Sequence, residues 1–438
     1  MKSVNQYVMK DSGVQWIGQV PEHWEVCRVK DLFMLTTGGT PKDFDQLNDE
    51  EETIDWYTPI DIKEDANELF TSKRKLSLTL SQKNNIRIFP AHSLLFSGIG
   101  NVGKIGYLNN SGYANQQLTA LMPKRGYSKY YYYFLAAFKD PIKDNAFYTV
   151  VPIVNNSYIS AIPIALPPLA EQRAIADWLD AKCADIDAAI ELQQRMIDKL
   201  KAYKTAVIHQ VVTKGLDKNL KPTDLKDSGI KWLGMIPKHW DVVLVKNILR
   251  WKSVKGCGEK EVLSLYREYG VIPKSSRDDN HNVTSDNTDD YKLVEKGDFV
   301  INKMKAWQGS MGVSLYEGII SPAYYVCSFI NEKVYKPYFH YLMRDSSYLP
   351  EYKRLSGGIR VGQWDLAYDK FKSLPALLPP TLSEQRAIAD WLDAKCADID
   401  ATIALKEQKQ EKLKAYKKTI IFEYVTGKKQ VANINKQL

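Results

Sequence analysis

The sequence predicts two mixed α/β (α+β) heads, two copies of one design, joined by two long antiparallel coiled-coil helices in a pseudo-two-fold, circular-permutation-like organisation. Three observations predict it. A long stretch of the chain recurs almost half a chain later, the recurring stretch carries a helical apolar seam, and the blocks between the copies contain strand, turn and strand patterns.

At 438 residues there is room for two or three domains, each with its own core. Apolar content of 44% and charged content of 26% fall in the ordinary soluble range, and no apolar run approaches the roughly 20 residues of a membrane span. A soluble protein with no membrane contact is therefore expected. The opening residues lack the apolar core of a secretory signal, and the five cysteines (Cys27, Cys183, Cys257, Cys327 and Cys396) are odd in number, far apart and without a CxxC pair. Both features point to a reducing cytoplasm and away from structural zinc. The net charge of +8 permits a polyanionic partner without requiring one.

The repeat sets the architecture. Glu171 to Ala188 recurs without a change as Glu384 to Ala401, and Lys10 to Trp24 returns in related form as Lys226 to Trp240. The order is lead-in (1–24), first head (25–165), spacer helix (166–215), linker and second lead-in (216–240), second head (241–378), second spacer helix (379–426) and a flexible tail (427–438). The two heads hardly resemble each other in sequence, so the frame is duplicated and the heads have diverged.

Each copy of the long repeat follows a Pro-Pro pair, Pro167-Pro168 or Pro379-Pro380, which bars helix before it and favours a start just beyond. From Leu179 a 4,3 spacing selects Cys183, Ile186, Ile190, Gln193, Ile197, Leu200, Lys204, Val207 and Val211. The second copy selects Leu392, Cys396, Ile399, Ile403, Lys406, Gln410, Leu413, Lys417, Ile420 and Tyr424. This is a coiled-coil seam, and a helix of roughly 40 residues makes a rod of about 60 Å. Two such rods can pair with each other, antiparallel; the alternative is that each packs on its own neighbouring head. Identity at surface positions such as Arg173, Asp177, Lys182 and Asp185 favours contact with two copies of one partner, although recent duplication gives the same pattern.

In the first head the charge is unevenly spread. Asp43 to Glu68 holds eleven acids against one lysine, and Leu69 to Ala165 holds eleven Lys/Arg against two acids, which allows one strongly positive face. Amides lie within that basic stretch, at Asn115-Gln116-Gln117 and at Asn155-Asn156-Ser157-Tyr158. Lys and Arg neutralise phosphates, while Asn, Gln and Arg carry the donor and acceptor pairs that read base edges. The tyrosines 130 to 133 are better explained as part of an amphipathic helix, Tyr130 to Phe138, packed in the core beside solvated lysines than as a nucleic-acid contact. Gly98 to Lys104 fits a GxGxxG pattern, but Ile105 stands where a phosphate loop needs Ser or Thr and strand-like residues flank it on both sides, so a hairpin is expected with Lys104 near its tip.

The second head has a comparable strand, turn and strand from Asp298 to Tyr316, with Lys303, Lys305, Trp307 and Gln308 near the turn. A second candidate loop carries Arg354, Arg360, Gln363 and Trp364 around Gly357-Gly358, in the position that Asn155 to Tyr158 takes in the first head. Catalytic constellations are absent where they are expected. Ser321-Pro322-Ala323-Tyr324 is the nearest approach to an adenine-methylation motif, and none of the six histidines pairs at metal spacing.

The Ser12 to Trp24 and Ser228 to Trp240 lead-ins, the Leu166 to Gln172 and Leu378 to Gln385 helix entries, and the duplicated order resemble the specificity subunit of type I restriction-modification systems over nearly the whole chain. The resemblance implies a non-catalytic subunit with two target-recognition domains, each reading one half of an asymmetric split site on double-stranded DNA, and helices that act as a ruler. It implies two methyltransferase subunits that bind S-adenosylmethionine and two restriction subunits that use ATP and magnesium, with no cofactor in this chain. Docking of the methyltransferase subunits is expected at the helix entries, on Glu171, Gln172, Arg173, Asp177 and Trp178 and on Glu384, Gln385, Arg386, Asp390 and Trp391. One residue more in the second entry leaves the two sites unequal. Heads on one side of the duplex should read half-sites about one turn, roughly 10 bp, apart. Two alternatives stand beside this reading: a specificity subunit for a fused methyltransferase-nuclease, and a coiled-coil scaffold with two protein-binding heads.

Overall fold

The computed structural model describes residues 7–42, 53–63, 67–99, 102–144, 147–148, 152–217, 219–277, 284, 287–358 and 364–431. The chain divides into two compact units, Met1–Gln193 with Gln408–Leu438, and Gln194–Glu407. Each unit thus combines one head with the opening half of one long helix and the closing half of the other.

In the first unit, strand Glu25–Arg28 pairs antiparallel with Pro163–Leu166, so the chain enters and leaves the head side by side. Between them lies a five-stranded sheet in the order Phe33–Thr37, Leu118–Pro123, Leu94–Ser97, Ile105–Leu108 and Asn67–Leu69, antiparallel except for the last pair. Alternation decides its two faces. Leu94, Phe96, Ile105, Tyr107 and Leu121 face the core shared with helix Ser128–Ala137, while Leu95, Leu108, Leu118, Ala120 and Met122 face a second core. Tyr130 to Tyr133 are all buried, as expected for a core helix.

The second head has the same plan in a different sequence. Asp241–Leu244 pairs with Pro375–Leu378, and a four-stranded antiparallel sheet runs Leu249–Lys252, Tyr324–Phe329, Phe299–Asn302 and Met311–Val313. Phe299, Ile301, Tyr325 and Cys327 point to the core shared with helix Lys336–Met343, and Val300 and Val326 to the opposite one. The hairpins expected after Ser93 and Asp298 are both present, as Leu94–Ser97 with Ile105–Leu108 and Phe299–Asn302 with Met311–Val313.

The long helices run Leu169–Lys214 and Leu382–Val425. No residue of either predicted seam is exposed. Within the first unit Trp178 stacks on Tyr424, Asp187 pairs with Lys417 and the Ile190 carbonyl accepts from Gln410, a descending series that makes the halves antiparallel. Within the second unit Ile197 clusters with Ile403 and Lys204 pairs with Asp400. Helices pair with each other and also pack on the heads, so the two arrangements left open by the sequence coexist. Charge explains the orientation. Leu169 to Gln193 holds six acids against two bases and its partner Gln408 to Val425 five bases against two acids. Gln194 to Lys214 holds five bases against one acid, opposite Leu382 to Glu407 with six acids against three bases. Opposite signs meet in each unit, and a parallel pair would place like on like. Gly427 follows the second helix at φ +69°, where a β-carbon would collide with Pro21.

Candidate nucleic-acid interface

The repeated residues first build a clasp. Trp24 Nε1 donates to Glu171 Oε2 at 3.0 Å and the imidazole of His23 lies 2.8 Å from Glu171 Oε1. In the second unit Trp240 Nε1 donates to Glu384 Oε1 at 2.9 Å, with His239 at 3.1 Å. Gln172 accepts from Tyr127 N–H (2.8 Å) and donates to the Pro167 carbonyl (2.7 Å), and Gln385 does the same with Tyr335 (2.7 Å) and Pro379 (2.9 Å). Tyr133 OH donates to Asp180 at 2.5 Å, as Tyr341 OH does to Asp393 at 2.6 Å. Burial raises the pKa of Tyr133 well above the phenol range, and the carboxylate beside it adds to the shift.

These bonds correct part of the docking expectation. Glu171, Gln172 and Gln385 are buried and spend their polar atoms inside the unit, so none of the three offers a surface to a partner, while Glu384 is partly exposed and bonded to Trp240. Trp178 is stacked on Tyr424, with ring centroids 4.0 Å apart. Arg173, Asp177, Arg386, Asp390 and Trp391 remain exposed. Part of the identity between the helix entries therefore reflects equivalent packing on two divergent heads, which share a frame that their sequences conceal.

In the first head the structure brings the two amide segments together at one end of the sheet. Gly98 N–H donates to the Gln117 carbonyl (3.2 Å) and the Gly98 carbonyl accepts from Val154 (2.8 Å). Asn156 then bridges two strand ends, accepting from Thr119 Oγ1 at 2.9 Å and donating to Thr37 Oγ1 at 3.0 Å. Asn155 caps the short helix Asn156–Ala161 by accepting from Tyr158 N–H (2.9 Å), and Tyr158 OH donates to the Ile142 carbonyl (2.8 Å). Gln116, Gln117, Asn155, Asn156 and Ser157 are exposed and form an edge of amides and a hydroxyl, with Thr40 bonded to Gln116. Asn115 is buried and turned to Gln117 (3.1 Å), so it supports this edge from within. Lys104 is a correction: it is buried, and its ammonium points to the Ile62 carbonyl at 3.4 Å rather than outward from a hairpin tip. Gly100, Asn101 and much of the acidic segment, Asp43 to Glu52, lie outside the described residues.

In the second head the two candidate loops also converge, with different chemistry. Trp307 and Trp364 meet edge to face at 5.3 Å, and the Lys353 ammonium lies 5.7 Å from the Trp364 ring. The Lys303 carbonyl accepts from Leu366 N–H at 3.1 Å, and its ammonium sits 4.6 Å over Tyr325. Lys305 is exposed, Gln308 partly so, and Arg354 is exposed in an ion pair with Glu351 at 2.7 Å. Behind the sheet, Lys292 is buried and donates to the carbonyls of Pro322 (2.9 Å) and Tyr324 (2.6 Å). Burial first, then Lys303 and Lys255, lower its pKa to about 8. Arg360 and Gln363 lie outside the described residues.

Thr37 and Thr119 carry no mark in the sequence, because strand ends acquire a role only when pairing brings them beside another loop. A signal that is visible in the chain, and that the repeat expected above does not include, is Lys199 to Lys204, which recurs unchanged as Lys412 to Lys417 at the same offset as the long repeat. Among the described residues no group of His, Cys, Asp and Glu is placed to hold a metal ion, and no helix is long and apolar enough to cross a membrane.

A family model described as the type I restriction modification DNA specificity domain matches residues 21–202 and again 237–415. The specificity subunit of the type I restriction enzyme MjaVIII of Methanocaldococcus jannaschii is 27% identical over 445 residues, covering 95% of this chain and 95% of that one. Among solved structures, a chain from a study of complex assembly and conformational transition of the type I R-M system matches with a TM-score of 0.68 and 13% identity, over 93% of this chain and 99% of that one. The HsdS subunit from Thermoanaerobacter tengcongensis matches with a TM-score of 0.50 and 13% identity, over 93% and 98%. At that identity the structural matches speak for the fold, and the two matched stretches of the family model span most of the chain. The chain belongs to the family of type I restriction-modification DNA specificity subunits.

Proposed function

We propose that this chain reads a split site on duplex DNA, one half with each head, and does no chemistry of its own. The observation that carries the reading is a common sheet order in both heads with unlike residues at the converging loops, amides and hydroxyls in one and aromatic and basic groups in the other. A shared scaffold with divergent edges suits two readers of two different half-sequences. The long helices set the unread gap between them. Two methyltransferase subunits, which bind S-adenosylmethionine, dock on the exposed face that carries Arg173 and Asp177 in one copy and Arg386, Asp390 and Trp391 in the other. Two restriction subunits that use ATP and magnesium complete the complex in the cytoplasm.

Profiling methylated adenines in a host carrying the system tests the whole reading: a bipartite motif is expected, and a continuous motif overturns it. Inserting one heptad into both long helices adds about 10 Å of rise, so the gap should grow by about three base pairs. An unchanged motif shows that the helices are not the ruler. Replacing Asn155 and Asn156 should alter one half-site alone, and an equal loss for every sequence assigns them to phosphate contact.

A further inference from the structure

The edges at which the loops of each head converge can be matched residue by residue, because the same backbone hydrogen bonds recur in both. Gly98 N–H donates to the Gln117 carbonyl and Lys303 N–H to the Ala323 carbonyl, each at 3.2 Å. The Gly98 carbonyl accepts from Val154 at 2.8 Å and the Lys303 carbonyl from Leu366 at 3.1 Å. Leu118 N–H closes a turn on the Asn115 carbonyl, as Tyr324 N–H does on that of Ser321, both at 3.1 Å. Inside that turn Asn115 Oδ1 accepts from Gln117 N–H (3.1 Å) and Ser321 Oγ from Ala323 N–H (3.4 Å). Asn156 and Tyr368 correspond as the first residues of the short helices, Asn156–Ala161 and Tyr368–Phe371, that precede the closing strands.

The match exposes an exchange of chemistry at fixed positions. Asn115-Gln116-Gln117 becomes Ser321-Pro322-Ala323, so the segment nearest in sequence to an adenine-methylation motif is the second head's copy of the amide turn. Asn156, bonded to Thr119 and Thr37, becomes Tyr368, whose ring packs on Tyr325 at 5.5 Å and Trp251 at 5.7 Å. What stands in place of the exposed amides Gln116 and Gln117 is apolar. Pro322 is exposed and Ala323 partly so, and in the same region Met304 and Trp251 are 49% and 46% exposed. Trp307 Nε1 donates to the Met304 carbonyl at 3.1 Å, so that indole adds ring surface and no free donor. Lys292 holds the turn from behind through the carbonyls of Pro322 and Tyr324, which fixes the backbone that presents these side chains.

On the base edges of the major groove, side chains that make no hydrogen bond have one apolar group to meet, the 5-methyl of thymine. Lys303 stands where the first head has Gly98, and Lys305 is exposed two residues on, so the patch comes with positive charge suited to flanking phosphates. We infer that the second head reads a thymine through its methyl group, with Pro322, Ala323 and Met304, at the turn where the first head carries amides. The inference rests on the proposed DNA reading and names a base of one half-site and the group by which it is recognised.

The test uses the full chain with its methyltransferase partner and duplexes of the methylated motif in which deoxyuridine replaces thymine one position at a time, which removes the methyl and leaves the base pair intact. The second head's half-site is the one unaltered by replacing Asn155 and Asn156. One thymine there should prove sensitive, with affinity falling about fourfold, the worth of one buried methyl. Met304→Ala should narrow the difference between thymine and uracil. Pro322→Gln with Ala323→Gln, which copies the amide pair of the first head, should abolish it, with the melting temperature and the other half-site unchanged. If the motif is bipartite and no uracil in that half-site weakens wild-type binding, methyl reading is refuted while the DNA reading stands; a continuous motif refutes both. A thymine whose loss costs the same in the wild type and in both variants is contacted by the partner subunit, and the inference fails. Variants that bind every duplex as the wild type does but release the methyltransferase make the patch a protein dock, which also overturns it.

Discussion

Trp24 and Glu171 are joined by an indole-to-carboxylate hydrogen bond of 3.0 Å, across 147 residues of sequence. The Trp24 ring meets Tyr130 edge to face at 6.4 Å, and the single proton of Tyr130 OH is shared between the Ala165 carbonyl (2.7 Å) and the Val425 carbonyl (3.1 Å). One chain of contacts thus fastens the lead-in, the first head and the ends of both long helices. Trp240, Glu384 and Tyr338 repeat it in the second unit, where Tyr338 OH reaches the carbonyls of Leu377 (3.0 Å) and Val212 (3.3 Å).

Removing the carboxylate strands a buried N–H. Glu171→Ala should destabilise the first unit by about 1–3 kcal/mol, the cost of an unsatisfied buried donor. Glu384→Ala should cost less, because its side chain is 31% exposed against 5% for Glu171, and water replaces part of the missing bond. Thermal unfolding of both variants checks the order, and equal effects would show that burial does not govern the clasp.

The first unit is discontinuous in sequence, and a truncation exposes that. Ending the chain at Glu407 removes Ile421 and Val425 from the core of the first head and takes away the Tyr130 acceptor at Val425. Hydrogen exchange should then accelerate in strand Leu94–Ser97 and stay slow in Phe299–Asn302, whose unit is intact. Protection retained in both strands would mean that the head folds without the closing helix.

Opposite charge across the helix pair is tested by inversion. Lys417→Glu or Asp187→Lys alone should each destabilise, and the two together should restore stability, with a coupling of about 0.2–1 kcal/mol because the pair is partly solvated. A double-mutant cycle in urea measures the coupling, and none is expected at high salt.

Acid should loosen the second head through one histidine. His340 Nδ1 accepts from Val313 N–H at 3.1 Å, and burial, then the nearby Arg344, hold its pKa down to about 3. Between about pH 6.5, the unfolded value, and pH 3 the unfolded chain carries a proton that the native head does not, so stability falls as the pH falls through that window and is fully present above it. His340→Gln, which keeps an acceptor but cannot titrate, should flatten the dependence of the urea midpoint on pH. An unaltered dependence would place the titration elsewhere.

What the sequence determined by itself is the frame: the duplication, the seam from Leu179 and Leu392, the tyrosine helix as core and the paired hairpins. Those are local or repeated patterns, and periodicity reports them directly. The sheet order that the heads share was not legible, because a strand face accepts Leu94 and Phe96 as readily as Phe299 and Ile301, so sheet order survives while identity fades. Nor could identity at Glu171 reveal whether a side chain faces a partner or its own head. Only the tertiary structure decided that, by folding Trp24 and the closing helix onto Glu171 and Tyr130, and by bringing Gln117 beside Val154 at the edge of the sheet. Contacts between segments far apart in the chain leave no periodic trace in either segment, so they become visible only once the chain has closed on itself.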